Sequence, residues 1–175
     1  MKQVASHFGG TRNGLAVSWP ARITDAGGLR SQFHHVVDIA PTILEAAGVP
    51  WPDHVDGIEQ MPVHGTPMGY SFDDEAASSR RTTQYFEILG NRAVYHDGWM
   101  ASCFHGRVPW IRLAAYEFDG PDEHWELYDI TNDFSQSVDL SETFPEKLAE
   151  LQTLFEREAG ANGVFPLRDA GSPRG

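Results

Sequence analysis

The chain carries a single cysteine, Cys103, among its 175 residues, so no internal disulfide can form and a disulfide-stapled scaffold is excluded. Long apolar runs are missing too: the longest are too short and too interrupted to cross a bilayer as a helix. The opening residues Met1-Lys2-Gln3-Val4-Ala5-Ser6-His7 hold no apolar signal-peptide core, which says nothing about export if the natural amino terminus lies upstream. Basic residues are scarce, 13 against 25 acidic, for a formal charge of −12. That balance argues against nucleic acid and anionic membranes as partners, because both require a basic patch and the densest basic pair is Arg80-Arg81. Acidity of this size serves solubility.

Several chemical signatures are equally absent. No Gly-x-x-x-x-Gly-Lys phosphate loop and no Gly-x-Ser-x-Gly nucleophile elbow occur. The eight histidines include no His-x-x-x-His or His-Glu-x-x-His pair on a helix. His34 and His35 are adjacent and therefore point apart, while His54, His64, His96, His105 and His124 are scattered. Asp73-Asp74 and Asp122-Glu123 lie in turn-like surroundings and read as solvated loop carboxylates. One local cluster stands out: Lys2, His7 and Arg12 surround the Gly9-Gly10 bend, where backbone and cations could approach an anionic oxygen.

What is present is enough for a folded core, with five Trp, ten Phe and five Tyr. Leu15–Trp19 reads as a short buried strand stopped by Pro20. Asp38 is placed as the N-cap of a helix running to Gly48, with Ile39, Ile43, Leu44 and Ala47 sharing its apolar face. Residues 51–79 read as an ordered loop anchored by Trp51, Ile58, Met61, Tyr70 and Phe72. A second unit follows. Thr82–Leu89 is expected as a strand, Gly90-Asn91 as a turn, and Ala93–Ser102, Trp110–Tyr116 and Trp125–Ile130 as its successors in an antiparallel meander of four strands. Thr143 and Glu146 form a capping-box pattern at the start of the longest helix, whose stripe Phe144, Leu148, Leu151 and Phe155 would cover the sheet before Gly160 closes it.

The run from Lys2 through Gly9-Gly10-Thr11-Arg12 to Trp19-Pro20 resembles the late catalytic-domain segment of bacterial arylsulfatases. Asp38-Ile39-Ala40-Pro41-Thr42 is similar to that family's Asp-x-x-Pro-Thr helix, and Asp56-Gly57 to its downstream turn. The likeness continues through Tyr70–Asp74, Thr83–Glu87, Gly90–Trp99 and Trp125–Asp129, covering roughly residues 2 to 167.

The resemblance implies the carboxy-terminal part of a sulfatase in the alkaline-phosphatase-like superfamily, α/β plus α+β in class. Residues 1–78 would be the tail of the catalytic domain, 79–167 a small four-stranded antiparallel sheet packed on a carboxy-terminal helix, and 168–175 a flexible tail. It implies hydrolysis of aryl sulfate esters by a cysteine-derived formylglycine with a calcium ion. This chain lacks a Cys-x-Pro-x-Arg nucleophile sequence, since its single cysteine, Cys103, is followed by Phe104-His105-Gly106-Arg107. No complete metal site is expected in it, and alone it should be inactive. By the resemblance Lys2 would contact the sulfate, with His7 as the local alternative or as the residue that orders the bend. The partners implied are an aryl sulfate and either the missing upstream part of the sulfatase or a second copy of this chain, not nucleic acid or membrane. A related phosphate or phosphonate ester hydrolase, or a non-catalytic binding domain, are the alternatives. Localisation stays open between bacterial cytoplasm and periplasm.

Overall fold

A computed structural model describes residues 6–105 and 123–167. Lys2, the strand expected over Trp110–Tyr116 and the tail from 168 lie outside the described residues. The elements in chain order are α1 (Phe8–Thr11), α2 (Ile39–Ala47), β1 (His54–Val55), β2 (Ile58–Glu59), β3 (Thr83–Ile88), β4 (Asn91–His96), β5 (Trp99–Cys103), β6 (Trp125–Asp129) and α3 (Pro145–Ala161). They fall into two compact units. One is Leu15–Thr82; the other joins the residues up to Gly14 with those from Thr83 onward.

The second unit is built on a four-stranded antiparallel sheet of order β3-β4-β5-β6. The stretch 93–102, expected as one strand, is divided by a turn at Asp97-Gly98, with φ of 43° and 85°. The preceding hairpin turns at Leu89-Gly90, again with both φ positive, one residue before the expected Gly90-Asn91. Two-residue turns of this hand match the right-handed twist of the flanking strands, which is why Asp-Gly is a hairpin signal. Gly98 has a second constraint, since an added Cβ would lie 2.5 Å from Thr131 Cγ2.

Register explains the core. Tyr85 faces Val94, Val94 faces Ala101 and Ala101 faces Leu127, so these four form one row across the sheet. Val94, Ala101 and Leu127 are fully buried against Leu151, Leu154, Phe155 and Ala159 of α3. Phe155 meets Tyr85, Trp125 and Phe165 edge-to-face at centroid distances of 6.4, 5.7 and 6.4 Å, a geometry that aromatic quadrupoles favour.

Because side chains alternate along a strand, Tyr95, Met100, Ser102, Glu126 and Tyr128 belong to the opposite face. That face is buried as well: Tyr95, Met100, Ser102 and Tyr128 are all inaccessible or nearly so. Part of its cover is the segment at residues 6–8.

The ends of α3 differ from expectation. The capping box on Thr143 does not form; Phe144 is the N-cap, without a side-chain cap, and Pro145 occupies the first turn. Proline disfavours helical backbone in the residue before it, so the boundary moves to Phe144. The helix also runs past Gly160. Gly163 takes φ 68°, with Val164 N–H bonded to Ala159 O at 2.9 Å and Gly163 N–H to Gly160 O at 3.3 Å. These two bonds make a Schellman stop, and Val164 packs on the core beside it.

In the unit Leu15–Thr82, the expected strand at 15–19 forms no ladder, and Leu15, Val17 and Trp19 are exposed. A strand is defined by its hydrogen-bonded neighbour, and no described residue supplies one. Helix α2 appears where expected and ends at Gly48 in the left-handed conformation. Its apolar stripe, however, is not its buried side: Pro41 and Thr42 are buried while Ile43 is 61% exposed. The loop after it contains the short β1–β2 hairpin. Met68 and Ser71 hold that loop inside, whereas Trp51, Ile58 and Met61, expected as anchors, are exposed.

Candidate functional site

The glycine pair Gly9-Gly10 does not make an open bend. It forms the single helical turn α1, in which Gly10 and Thr11 N–H groups bond His7 O at 2.8 and 3.0 Å and Arg12 N–H bonds Phe8 O at 3.0 Å. Neither glycine has positive φ, so the turn does not use left-handed backbone.

His7 begins this turn and is 6% exposed. Its Nε2 contacts the Glu126 carboxylate of β6, and its ring meets Tyr128 edge-to-face at 6.0 Å. Burial first, and then the charges of Glu126 and Asp139, push the Tyr128 hydroxyl well above its usual pKa, so it stays a neutral phenol beside the pair. The next residue is tied down separately. Phe8 N–H donates to Gln136 Oε1 at 2.6 Å, and Gln136 holds φ at 53° in the loop after β6. The Arg12 guanidinium lies 5.6 Å from the Phe8 ring and 5.2 Å from that of Phe134, within cation–π range of both. Among the described residues, the buried atoms Ser6 Oγ, His7 Nδ1, Ser102 Oγ and Gln136 Nε2 have no hydrogen-bond partner. Four such atoms close to one short segment are uncommon, because each carries a desolvation cost.

Of the residues singled out by sequence, His7 and Arg12 thus flank one turn, and Lys2 lies outside the described residues. The partners of His7 (Glu126 and Tyr128), of Phe8 (Gln136) and of Arg12 (Phe134) were not identified in the sequence. The contact from His7 to Glu126 spans 119 residues, and no local pattern reports it.

A second polar centre lies in the unit Leu15–Thr82. Asp38, expected as the N-cap of α2, is fully buried and makes no cap bond to that helix. It accepts His35 N–H at 2.8 Å, which closes a capping box on the 3-10 turn Val36–Asp38, and Thr66 N–H at 2.8 Å. Arg81 forks onto both of its oxygens, Nε lying 3.1 and 3.0 Å from Oδ1 and Oδ2. Burial alone would raise the Asp38 pKa, but Arg81 and the Thr66 and His35 amides outweigh it and hold the carboxyl below its ordinary value. Thr42 of the same motif donates to Asp38 O at 2.6 Å and accepts Met68 N–H at 2.9 Å. The Asp-x-x-Pro-Thr residues therefore staple α2 to the following loop. Burial, foremost, keeps His34 and His35 below the ordinary histidine pKa.

Asp73 is likewise structural. Thr24 N–H above all, with the Thr24 hydroxyl, Asp25 N–H and Arg22, holds its carboxyl down to about 2. Its folded pKa lies below the unfolded value, so the turn it organises should be intact above about pH 4 and loosen only as pH falls toward 2. A carboxyl-carbon chemical-shift titration should place the Asp73 midpoint near 2; a midpoint at the ordinary aspartate value of about 3.9 would contradict the geometry.

Cys103 is buried, with Arg92 Nη2 3.4 Å from its sulfur. Arg92 and His105 both contact the Glu123 carboxylate, so the sulfur sits in a structural ion-pair cluster. Among the described residues no three His, Cys, Asp or Glu side chains converge as a metal centre requires. These described residues do not form a site for the calcium ion that the resemblance implies.

Comparison with known proteins agrees with this fold. The domain family described as N-sulphoglucosamine sulphohydrolase, C-terminal, matches residues 7–158. An uncharacterized sulfatase of Schizosaccharomyces pombe is 29% identical over 137 residues, covering 75% of this chain and 23% of that protein. Arylsulfatase K of Bos taurus is 26% identical over 126 residues, covering 66% of this chain and 20% of its own length. A structure solved in complex with its substrate D-glucosamine-2-N,6-O-disulfate superposes with a TM-score of 0.56 at 19% identity, covering 88% of this chain and 29% of that one. A second, from a study of glycosaminoglycan metabolism by Bacteroides thetaiotaomicron, gives a TM-score of 0.52 at 17% identity over 74% of this chain and 25% of its own. The two structures are likenesses of fold. The chain spans between a fifth and three tenths of the proteins it matches.

Proposed function

The chain belongs to the sulfatase family, by its match to the N-sulphoglucosamine sulphohydrolase carboxy-terminal domain, and on that premise we propose that it is the carboxy-terminal part of an arylsulfatase of the alkaline-phosphatase-like superfamily. In this reading residues 1–78 complete the catalytic domain and 79–167 form a carboxy-terminal α+β subdomain. The formylglycine nucleophile, which supplies the oxygen that attacks sulfur, and the ligands of a calcium ion belong to polypeptide outside this chain. Alone, the chain is inactive.

The observation that carries this reading is the surface of the unit Leu15–Thr82. Its buried apolar side chains are Met68 and Pro41, while Leu15, Val17, Leu29, Val36, Ile43, Ile58 and Met61 are exposed, Leu29 by 87% and Met61 by 77%. An apolar surface on that scale needs a partner. The remaining three quarters of a sulfatase is the partner that family membership supplies; a second copy of this chain is the other occupant.

Lys2 is the residue of this chain proposed to touch the substrate. An ammonium there would stabilise negative charge on the sulfate oxygens as the S–O bond to the phenol breaks, a contact worth most in the transition state. His7 orders the turn that follows.

The test uses a chromogenic aryl sulfate with calcium. The 175-residue chain should release no sulfate above background, and the complete enzyme should turn over. In that enzyme Lys2→Ala should lower kcat about a hundredfold, as loss of one oxyanion-stabilising donor does. Turnover by the isolated chain would overturn the partial-enzyme reading, and an unchanged kcat in Lys2→Ala would overturn the role of Lys2.

A further inference from the structure

We infer that His34 and His35 form an acid-sensitive latch in the unit Leu15–Thr82: neutral, they let the turn Val36–Asp38 hold the loop at residues 64–71, and protonated, they release it. The latch does not depend on the role proposed for Lys2.

Both histidines adjoin the buried Asp38 carboxylate, which already accepts from the His35 and Thr66 N–H groups and from the Arg81 fork. His34 Nδ1 stands 3.9 Å from Asp38 Oδ2, beyond hydrogen-bond range. Its other nitrogen, Nε2, is buried and has no hydrogen-bond partner among the described residues. The ring packs edge-to-face on Tyr70 at 5.8 Å. A neutral imidazole fits this setting with one unsatisfied atom. An imidazolium carries an N–H on both nitrogens, so it would bury a charged donor without an acceptor and set a second cation beside Arg81.

His35 acts through a different contact. Its Nδ1 accepts the Val37 N–H at 3.5 Å while Asp38 accepts the His35 N–H, and this reciprocal pair caps the turn Val36–Asp38. Only an unprotonated Nδ1 can accept, so a proton there removes half of the cap.

The loop is built directly onto that turn. A Cβ added at Gly65 would lie 2.1 Å from Val37 O, so the two backbones touch. Thr66 N–H bonds Asp38, Met68 N–H bonds Thr42, and Arg81 joins His64 O to the same carboxylate. An imidazolium that turns out to reach water gives up its Tyr70 contact and unseats the turn beneath the loop.

The charged and titratable groups that bear on the two rings come from three places. Asp38 is on their own turn, Arg81 precedes β3, and Tyr70 belongs to the loop, with Arg80 stacked on its ring. Burial, foremost, and then Arg81 disfavour the protonated rings and prevail over Asp38, which favours them. Each folded pKa therefore lies below 6.5. The loop is fully held above that pH and loses its hold as pH falls toward the folded values. Protonation of Asp38 itself belongs below about pH 4, so the two windows are separate.

The experiment titrates the full chain from about pH 8 to 5, following the histidine Cε1–H signals and amide hydrogen exchange together. His34→Phe and His35→Asn assign the rings; phenylalanine keeps a flat ring without a proton site, and asparagine keeps a cap acceptor. Both histidines should titrate below 6.5. Over the same interval the protection factors of Thr66 and Met68 should fall severalfold, with β3–β6 unchanged, and the fall should vanish in the double variant. If the double variant is already open at the start of the titration, His35→Asn alone decides, and its fall must be smaller than that of the native chain. A midpoint at or above 6.5 for either ring would overturn the latch, as would protection at Thr66 and Met68 that is absent from the start or constant throughout. A fall that persists in the variants would do the same, and so would an equal loss in β3–β6, which would mean unfolding of the whole chain.

Discussion

Phe155→Ala should destabilise the sheet–helix unit by about 3–5 kcal/mol, the range for truncating a fully buried aromatic side chain. Phe155 is 2% exposed and lies among Leu151, Leu154, Ala159 and the sheet row Val94–Ala101–Leu127. Its ring also contributes three edge-to-face contacts at once, to Tyr85, Trp125 and Phe165. The neighbours come from two strands and from the segment after α3, so they cannot all collapse into the space left behind. Because α3 supplies most of the cover over that face among the described residues, the loss should appear as one cooperative transition in denaturant, read by Trp99 and Trp125 fluorescence. A midpoint shift corresponding to less than about 1 kcal/mol, the size of an ordinary surface change, would show that the core is not where the structure puts it.

Asp38→Ala should have an effect of similar size in the other unit, about 3–5 kcal/mol, because it leaves the Arg81 guanidinium buried without its carboxylate. The side chain of Asp38 is 0% exposed and that of Arg81 10%. The Thr66 and His35 amides would lose their acceptor in the same step. Hydrogen exchange should therefore report loss of protection at both ends of α2 and through residues 64–68, with the strands β3–β6 unaffected. The pH dependence has a definite sign. The folded carboxyl lies below its unfolded pKa of 3.8, so its contribution is complete above about pH 4 and disappears as pH falls through the folded value. Protection that survives the substitution would show that Arg81 does not depend on Asp38.

Much of the sheet–helix unit could be read directly. Strands β3 and β6 and helix α3 lie within a residue or two of expectation, because period-two and period-3.6 patterns are local and survive in the chain as written. The hairpin at Asp97-Gly98 was also available, since the dipeptide is a turn signal; β4 is buried along nearly its whole length and does not alternate, so no period-two pattern marks where it ends. For α2 the opposite happened. Its stripe of Ile39, Ile43, Leu44 and Ala47 was a sound helical signal, yet Pro41 and Thr42 are its buried residues. Periodicity shows which face is apolar, not which partner is there to cover it.

Sequence alone therefore determined that the chain is a sulfatase segment, where β3, β6 and the longest helix lie, and that no Cys-x-Pro-x-Arg sequence occurs in it. Each of these is written in contiguous residues or in an order of short motifs. Tertiary structure decided that Asp38 is a buried anchor for Arg81, 43 residues away, and that Glu126 reaches His7 across 119. It also buried the second face of the sheet. Contacts across such distances depend on which strand lands beside which, and once the chain has closed those loops, burial and charge pairing, rather than local propensity, choose the partners.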